Sequence, residues 1–141
     1  MYRKILVALE NARSDTALLP HVAQLARIVG AELLLVHVAD GWAARNFKQL
    51  SLSESEEMKV DRIYLETTAS QLRENGLVVD TELALGNPPQ EILRTAQKSG
   101  CDLIAMTSNG HKLVGDLFLG STIEKVRHNT TIPLLVVRGQ G

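Results

Sequence analysis

Two short glycine-bearing stretches in the last third of the chain have the residue types needed to bind an anion. Thr107 to Gly110 follows a short apolar stretch typical of a buried strand, and nine residues later Gly120, Ser121 and Thr122 lead into a helical pattern. At a helix start the first backbone N–H groups have no partner within the helix, so they are available to an anion. Glycine lets the backbone approach a ligand closely, and a serine hydroxyl can add a hydrogen-bond donor. Phosphate is therefore the first ligand to expect.

The same residues also have an interpretation that needs no ligand. Ser121 can simply cap the helix that follows it. His111 and Lys112 can bring positive charge to distal phosphates, or they can lie on the solvated face of a loop. The ligand interpretation gains support because Gly110, Gly115, Gly120 and Ser121 cluster close to the point where the predicted strand order reverses.

Patterns of strand and helix alternate along the rest of the chain. Apolar runs of strand length occupy residues 4–9, 32–38, 77–84, 102–106 and 133–137, and apolar residues recur at helical spacing over 14–29, 53–75, 87–96 and 119–128. This alternation predicts an α/β fold with one doubly wound, five-stranded parallel sheet and helices on both faces. Right-handed crossovers favour the strand order 3-2-1-4-5. We expect residues 1–141 to form one domain, because the length lies in the usual range.

Individual residues mark where the helices should begin, end and pack. Ser14 or Asp15 can cap the first helix, Gly30 can end it, and Asn87 can cap the third. The residues expected to face the core are Val60, Ile63, Tyr64 and Leu72 in the second helix and Ile92, Leu93 and Ala96 in the third. Residues 40–53 have no clear period and predict a long loop that could act as a lid.

Topology places the glycine-bearing stretch at the expected ligand position independently of its motif. Ligands of such sheets bind beyond the carboxyl ends of the strands, where the strand order reverses. Here that point lies between the first and fourth strands, whose ends are Leu9 to Asn11 and Met106 to Gly110.

Composition argues against several classes of partner. The net charge of −1 creates no broad field for polyanions, and an aromatic content of 4% leaves little surface for stacking bases, so we expect no nucleic-acid partner. The sequence has no apolar run of membrane-spanning length and no signal-peptide pattern, which predicts a cytoplasmic protein with no membrane partner.

Other reactive or metal-binding patterns are not found. The sequence contains no Gly-Lys-Ser/Thr phosphate loop, no dinucleotide fingerprint after the first strand, no zinc-type spacing of Cys and His, and no serine nucleophile elbow. We therefore predict no catalytic residue and no metal site. Cys101 is expected to be a small buried hydrophobe, and His37 a core histidine with its hydrogen bonds satisfied.

The chain resembles the universal stress proteins along its whole length. Nucleotide-binding members of that family carry Gly-x-x-Gly, nine residues, and then Gly followed by Ser or Thr. The resemblance includes residues 4–9, 36–38, 120–126 and 133–138. It differs at two positions, because Thr107 stands where the family has its first glycine and Glu10 where it usually has aspartate.

The resemblance implies a cleft for ATP or AMP, with or without Mg²⁺. Phosphates would be held by Gly110, Gly120 and Ser121, the backbone near Met106 and Thr122 would line the cleft, and Ala8 and Val38 would pack the adenine. Glu10 would bond the ribose hydroxyls or the adenine edge, unless it is merely a solvated charge at a strand end.

Three functions follow from the resemblance. The first is a stress-response regulator that binds a nucleotide and forms a homodimer through the edge strand Pro133 to Val137. The second is a slow ATP hydrolase, for which His111 and Asp116 are within loop reach without forming a recognisable catalytic set. The third is a dimeric scaffold without nucleotide, which is favoured if the Thr107 side chain closes the cleft.

Overall fold

The computed structural model describes residues 1–39, 56–109 and 122–139. Strands and helices alternate along these residues. The elements are β1 (Lys4–Ala8), α1 (Asp15–Val29), β2 (Glu32–Ala39), α2 (Glu56–Glu74), β3 (Val79–Leu85), α3 (Pro88–Lys98), β4 (Leu103–Asn109), a last helix over residues 122–128, and β5 (Leu134–Gly139).

The strands form one parallel sheet in the order β3-β2-β1-β4-β5. The predicted order is confirmed. β1 is central, and its Ile5 lies opposite Leu33 of β2 and Leu103 of β4. The strand order reverses between β1 and β4. In sheets of this kind the reversal opens a crevice beyond the carboxyl ends of the two strands.

Side chains of successive strand residues point to opposite faces, which creates two separate apolar cores. On one face Ile5 and Val7 of β1 pack with residues of α1 and α2. On the other face Leu6 packs with residues of α3 and of the last helix, including Val126. Helices therefore cover both faces, as the alternating pattern predicts.

The predicted helix ends are found for α1 and α3. Gly30 ends α1 in the left-handed conformation with φ 75°, which is costly for residues with a Cβ. The Asn87 side chain accepts a hydrogen bond of 3.3 Å from the backbone N–H of Gln90 at the start of α3. Ser14 precedes α1 but makes no capping bond with its side chain.

The predicted inward face of α2 is wrong in two places. Val60 and Ile63 are 57% and 65% exposed. The buried residues of α2 are Met58, Asp61, Leu65, Thr68 and Ala69. The prediction placed only apolar residues on the inward face of α2. The observed inward face also includes the carboxylate of Asp61, whose hydrogen-bond partners lie on other elements, so the predicted face is rotated about the helix axis. Tyr64 and Leu72 do pack against the core.

β4 is longer than its apolar run predicts. Thr107, Ser108 and Asn109 were expected to begin the loop, but they belong to the strand and lie opposite Val137, Arg138 and Gly139. Threonine is a β-branched residue that is common in strands, and pairing with β5 outweighs the low strand propensity of Asn109. The predicted lid over 40–53 lies outside the described residues.

Candidate functional site

Three of the predicted site residues lie on the same face of the sheet near its carboxyl edge. Ala8 ends β1, Val38 lies near the end of β2, and Met106 lies in β4. Ala8 and Val38 are half-buried, Met106 is buried, and all three pack with the core beneath α3 and the last helix. Together they form an apolar surface at the point where the strand order reverses.

The last helix packs on that same face. Thr122 is buried at the first described residue of this helix, and Val126 and Ile123 pack in the same core as Met106. Because β5 runs parallel to β4, the helix must run back along the sheet, with its N-terminus toward the carboxyl ends of the strands. This orientation directs the positive end of the helix dipole to the carboxyl edge of the sheet.

Thr107 points to the opposite face of the sheet. Its side chain is 2% exposed, and it alternates with Met106 so that it shares a face with Leu103 and Ala105. A Cβ built on Gly139 would lie 3.6 Å from Thr107 Cβ and 2.9 Å from Ser14 Cβ. Gly139 has no side chain, and Thr107 and Ser14 occupy the space beside it. This space lies on the face of the sheet that α1 covers.

Glu10 follows β1 and is tied to the start of α1. Its Oε1 accepts a hydrogen bond of 2.7 Å from Ser14 Oγ. Its backbone N–H donates to Asp15 Oδ1 at 3.0 Å. Ser14 therefore holds the carboxylate of Glu10, and Asp15 holds its backbone.

Asp15 fills the anion position at the N-terminus of α1. It is 1% exposed, and its Oδ2 accepts hydrogen bonds from the backbone N–H of Asn11 at 2.9 Å and from the Tyr64 hydroxyl at 2.6 Å. Burial, followed by the hydrogen bond to Asp15, raises the pKa of the Tyr64 phenol, so that it remains a donor. The N–H groups of Glu10 and Asn11 are occupied by this internal carboxylate, and a phosphate group has to find its donors elsewhere.

A second polar cluster joins the end of β2 to α2 and to the same loop. His37 Nδ1 lies 2.8 Å from the carbonyl oxygen of Leu9, and His37 Nε2 lies 3.3 Å from Asp61 Oδ2. Asn11 Nδ2 donates to Asp61 Oδ1 at 3.0 Å. Asn11 has φ 55°, a left-handed conformation that asparagine tolerates better than most residues. His37 thus has a partner at each ring nitrogen, as predicted.

Asp61 and Tyr64 were not identified as site residues from the sequence. The available indication was the position of Asp61, three residues after Met58 and four before Leu65, both of which are buried. A carboxylate on the inward face of a helix needs a buried partner. That requirement pointed to a polar group on a neighbouring element.

Gly110, Gly120 and Ser121, which the sequence predicts to hold phosphate, lie outside the described residues. Within the described ranges no group of three metal-ligating side chains occurs, and no helix is long and apolar enough to cross a bilayer.

Comparison with known proteins identifies one family throughout. The family model described as the universal stress protein family matches residues 1–138. The universal stress protein YxiE of Bacillus subtilis is 29% identical over 148 residues, covering 98% of this chain and 100% of that protein. The universal stress protein MJ0577 of Methanocaldococcus jannaschii is 28% identical over 158 residues, covering 98% and 96%.

Solved structures show the same fold. The structure of MJ0577 superposes with a TM-score of 0.78 at 27% identity, covering 100% of this chain and 99% of that one. A universal stress protein from Archaeoglobus fulgidus in complex with dAMP has a TM-score of 0.71 at 19% identity, covering 97% and 98%. One in complex with cAMP has a TM-score of 0.70 at 15% identity, covering 97% of each chain. The chain belongs to the universal stress protein family.

Proposed function

We propose that this protein binds an adenine nucleotide, ATP or AMP, beyond the carboxyl ends of β1 and β4, and that it acts as a dimeric regulator in a stress response. The observation that carries the proposal is the common face of Ala8, Val38 and Met106. A planar apolar base packs favourably on such a surface, and the N-terminus of the last helix is directed to the same place.

Phosphates of the nucleotide would lie on the β4 side of the cleft. The nearest donors on the β1 side are the N–H groups of Glu10 and Asn11, and Asp15 already accepts from them. We assign the phosphates to the stretch from Gly110 to Thr122 because its glycines and hydroxyl residues are types that suit an anion. Mg²⁺ would accompany a triphosphate there.

Two relatives support the choice of ligand. The solved universal stress proteins in complex with dAMP and with cAMP share an adenine base and a phosphate group. In this chain the apolar surface of Ala8, Val38 and Met106 suits the base, and the glycine-bearing stretch that follows β4 in the sequence suits the phosphate.

The position of Thr107 favours this proposal over a scaffold without nucleotide. The scaffold alternative is favoured if the Thr107 side chain closes the cleft. That side chain packs near Ser14 and Gly139, on the face opposite to Ala8, Val38 and Met106. Its volume is therefore directed away from the surface proposed for the base.

A second copy of the chain would cover the edge strand β5. Val136 is 43% exposed on this strand, and an edge strand with free backbone groups is a surface for pairing. Pairing of β5 with its symmetry-related copy would place both nucleotide sites in one assembly.

The proposal is tested by measuring nucleotide binding to protein that has been unfolded, freed of bound ligand and refolded. Isothermal titration calorimetry with Mg-ATP and with AMP should give a saturable one-site curve for the wild type. E10Q removes the charge that would accept the ribose hydroxyls, and we expect about tenfold weaker binding, equal to about 1.4 kcal/mol.

E82Q is the matched control for this variant. Glu82 lies on β3 and pairs with Lys98 at 3.5 Å, so the same change of charge occurs away from the cleft. Its affinity should equal that of the wild type. Absence of heat and of any thermal shift with both nucleotides in the wild type would overturn the proposed function.

A further inference from the structure

The edge strand β3 directs the backbone groups of every second residue away from the sheet. The N–H of Leu33 in β2 donates to the carbonyl oxygen of Val78 at 2.9 Å, and the register places Leu33 opposite Val79. Each strand of a parallel pair uses alternate residues for the ladder. The N–H and C=O groups of Val79, Thr81 and Leu83 are therefore directed outward. Such a row of backbone groups is a template on which another strand can pair.

Arg73 of α2 occupies the first of these outward carbonyl groups. Its Nε and Nη2 donate to the carbonyl oxygen of Val79 at 3.0 Å and 2.7 Å. Hydrogen bonds from a charged donor are stronger than those between neutral groups. The N–H of an added strand would have to displace the guanidinium before it could bond to this oxygen.

Glu66 extends the cover to the next outward residue, Thr81. Its Oε2 accepts a hydrogen bond from the Thr81 hydroxyl, and its Oε1 lies 3.9 Å from Arg73 Nη1. Glu66 precedes Arg73 by about two helical turns, so both side chains start from the same side of α2 and reach the edge of β3. The two side chains are 55% and 43% exposed, and a strand added at this edge would have to desolvate both charges.

The opposite face of β3 also has a charged pair. Glu82 alternates with Thr81 along the strand, so its side chain lies on the other face of the sheet. There Lys98 of α3 lies 3.5 Å from Glu82 Oε2. A strand that paired with β3 would therefore meet charged side chains on both of its faces.

The other edge of the sheet has a different surface. The first four residues of β5, Leu134 to Val137, are all apolar. Val136 is 43% exposed, and burying it against a second copy desolvates no charge. The charges thus distinguish the β3 edge from the β5 edge.

We propose that Glu66 and Arg73 close the β3 edge to a second copy of the chain and so confine self-association to β5. Without this cover, two copies can pair β3 with β3 in antiparallel orientation about a two-fold axis. If β5 pairs as well, every copy then has two open edges, and the copies join into a continuous sheet that does not close. The inference goes beyond the proposed function and requires no nucleotide.

The test removes both charges in E66Q/R73M and measures the mass by sedimentation over a range of protein concentrations. Glutamine can still accept from the Thr81 hydroxyl, and methionine keeps an unbranched apolar chain in place of arginine. The weight-average mass should rise with concentration to about twice the wild-type value or more.

E91Q/R94M is the matched control, because it makes the same two exchanges in a pair within α3, where Arg94 Nη2 lies 2.6 Å from Glu91 Oε1. Its mass should equal that of the wild type. R73K keeps a charge that pairing would have to desolvate, and it should also keep the wild-type mass. Association of R73K to the same extent as E66Q/R73M would overturn the role assigned to the charge.

Amide hydrogen exchange identifies the edge that pairs. The N–H groups of Thr81 and Leu83 lie outside the ladder and should exchange quickly in the wild type. In E66Q/R73M at high concentration their exchange should slow by about tenfold or more, because they gain partners. Wild-type mass in E66Q/R73M, or a higher mass without protection of these two amides, would overturn the proposal.

The comparison is made with the wild type in whichever assembly it has. If the wild type is a monomer, the proposed β5 dimer fails, but E66Q/R73M should still form a dimer through β3. If the wild type is a dimer and E66Q/R73M does not grow beyond it, the β5 dimer stands and the cover by Glu66 and Arg73 is refuted.

Discussion

Thr107 shares with Ser14 the space beside Gly139. Its methyl group and hydroxyl pack on the α1 face, and the missing side chain of Gly139 leaves room for both Thr107 and Ser14. Among the described residues its Oγ1 has no hydrogen-bond partner, and the same is true of Thr95 Oγ1 on the opposite face. A buried hydroxyl without a partner loses its water without compensation.

We predict that T107V stabilises the protein. Valine keeps the shape of threonine and removes the unpartnered hydroxyl, so the free energy of unfolding should rise by about 1 kcal/mol in urea titrations. T95V makes the same exchange on α3, which packs on the opposite face of the sheet, and should give a similar gain. ATP affinity should be unchanged in both. A tenfold loss of affinity in T107V alone would show that this hydroxyl contacts the ligand.

At the scale of elements, carboxylates at both ends of β1 hold the chain connections. At the carboxyl end Asp15 binds the loop that leads to α1, and Tyr64 of α2 completes its set of donors. At the amino end Asp102, just before β4, accepts hydrogen bonds from the backbone N–H of Arg3 at 2.9 Å and of Lys4 at 3.1 Å. The central strand is thus fixed to its neighbours beyond the ladder itself.

Asp102 should make stability depend on pH in the acid range. Burial opposes its ionisation, but the N–H groups of Arg3 and Lys4 outweigh that effect and lower the pKa of the carboxyl. A carboxyl with a lowered folded pKa contributes stability above its unfolded pKa of about 3.9, and this contribution is lost as the pH falls through the folded value.

We therefore expect D102N to melt below the wild type at neutral pH, with a difference in Tm that shrinks as the pH falls below about 4. Thermal unfolding followed by circular dichroism at several pH values checks this. D80N, at an exposed position of β3, removes the same charge and should leave Tm nearly unchanged at every pH. A constant gap for D102N across the acid range would contradict the assignment.

At the scale of the whole molecule, the two edges of the sheet differ. β3 and β5 are both edge strands, and each edge has an exposed valine, Val136 in β5 and Val78 just before β3. Our proposal uses the β5 edge for the homodimer. The exposed valines allow the two edges to be compared with the same substitution.

V136K should convert the dimer to a monomer, because a charge at the centre of the interface has to be desolvated. In sedimentation equilibrium the wild type should have twice the chain mass of 15.4 kDa, and V136K a mass near 15.4 kDa. V78K is the matched variant at the other edge and should remain dimeric. A monomeric wild type, or a V78K variant that alone dissociates, would exclude the β5 interface.

Much of the fold could be predicted because it depends on local periodicity and chirality. Apolar runs located the strands, and the right hand of the crossovers left the order 3-2-1-4-5, which is confirmed. Gly30 and Asn87 were identified as helix boundaries from residue type alone. The inward face of α2 was not identified, because Asp61 is buried against Asn11 and His37, which lie on other elements and are distant in the sequence.

The candidate site, like the fold, could be predicted from the sequence only in part. By itself the sequence determined the family, the strand order and thus the edge of the sheet where a ligand would bind, because these follow from motif, period and hand. Only the tertiary structure decided that Thr107 points away from Ala8, Val38 and Met106, and that Asp15, His37 and Asp61 converge on the loop of Glu10. Side-chain direction and contacts between distant residues depend on how strands and helices meet in space, which no local pattern encodes.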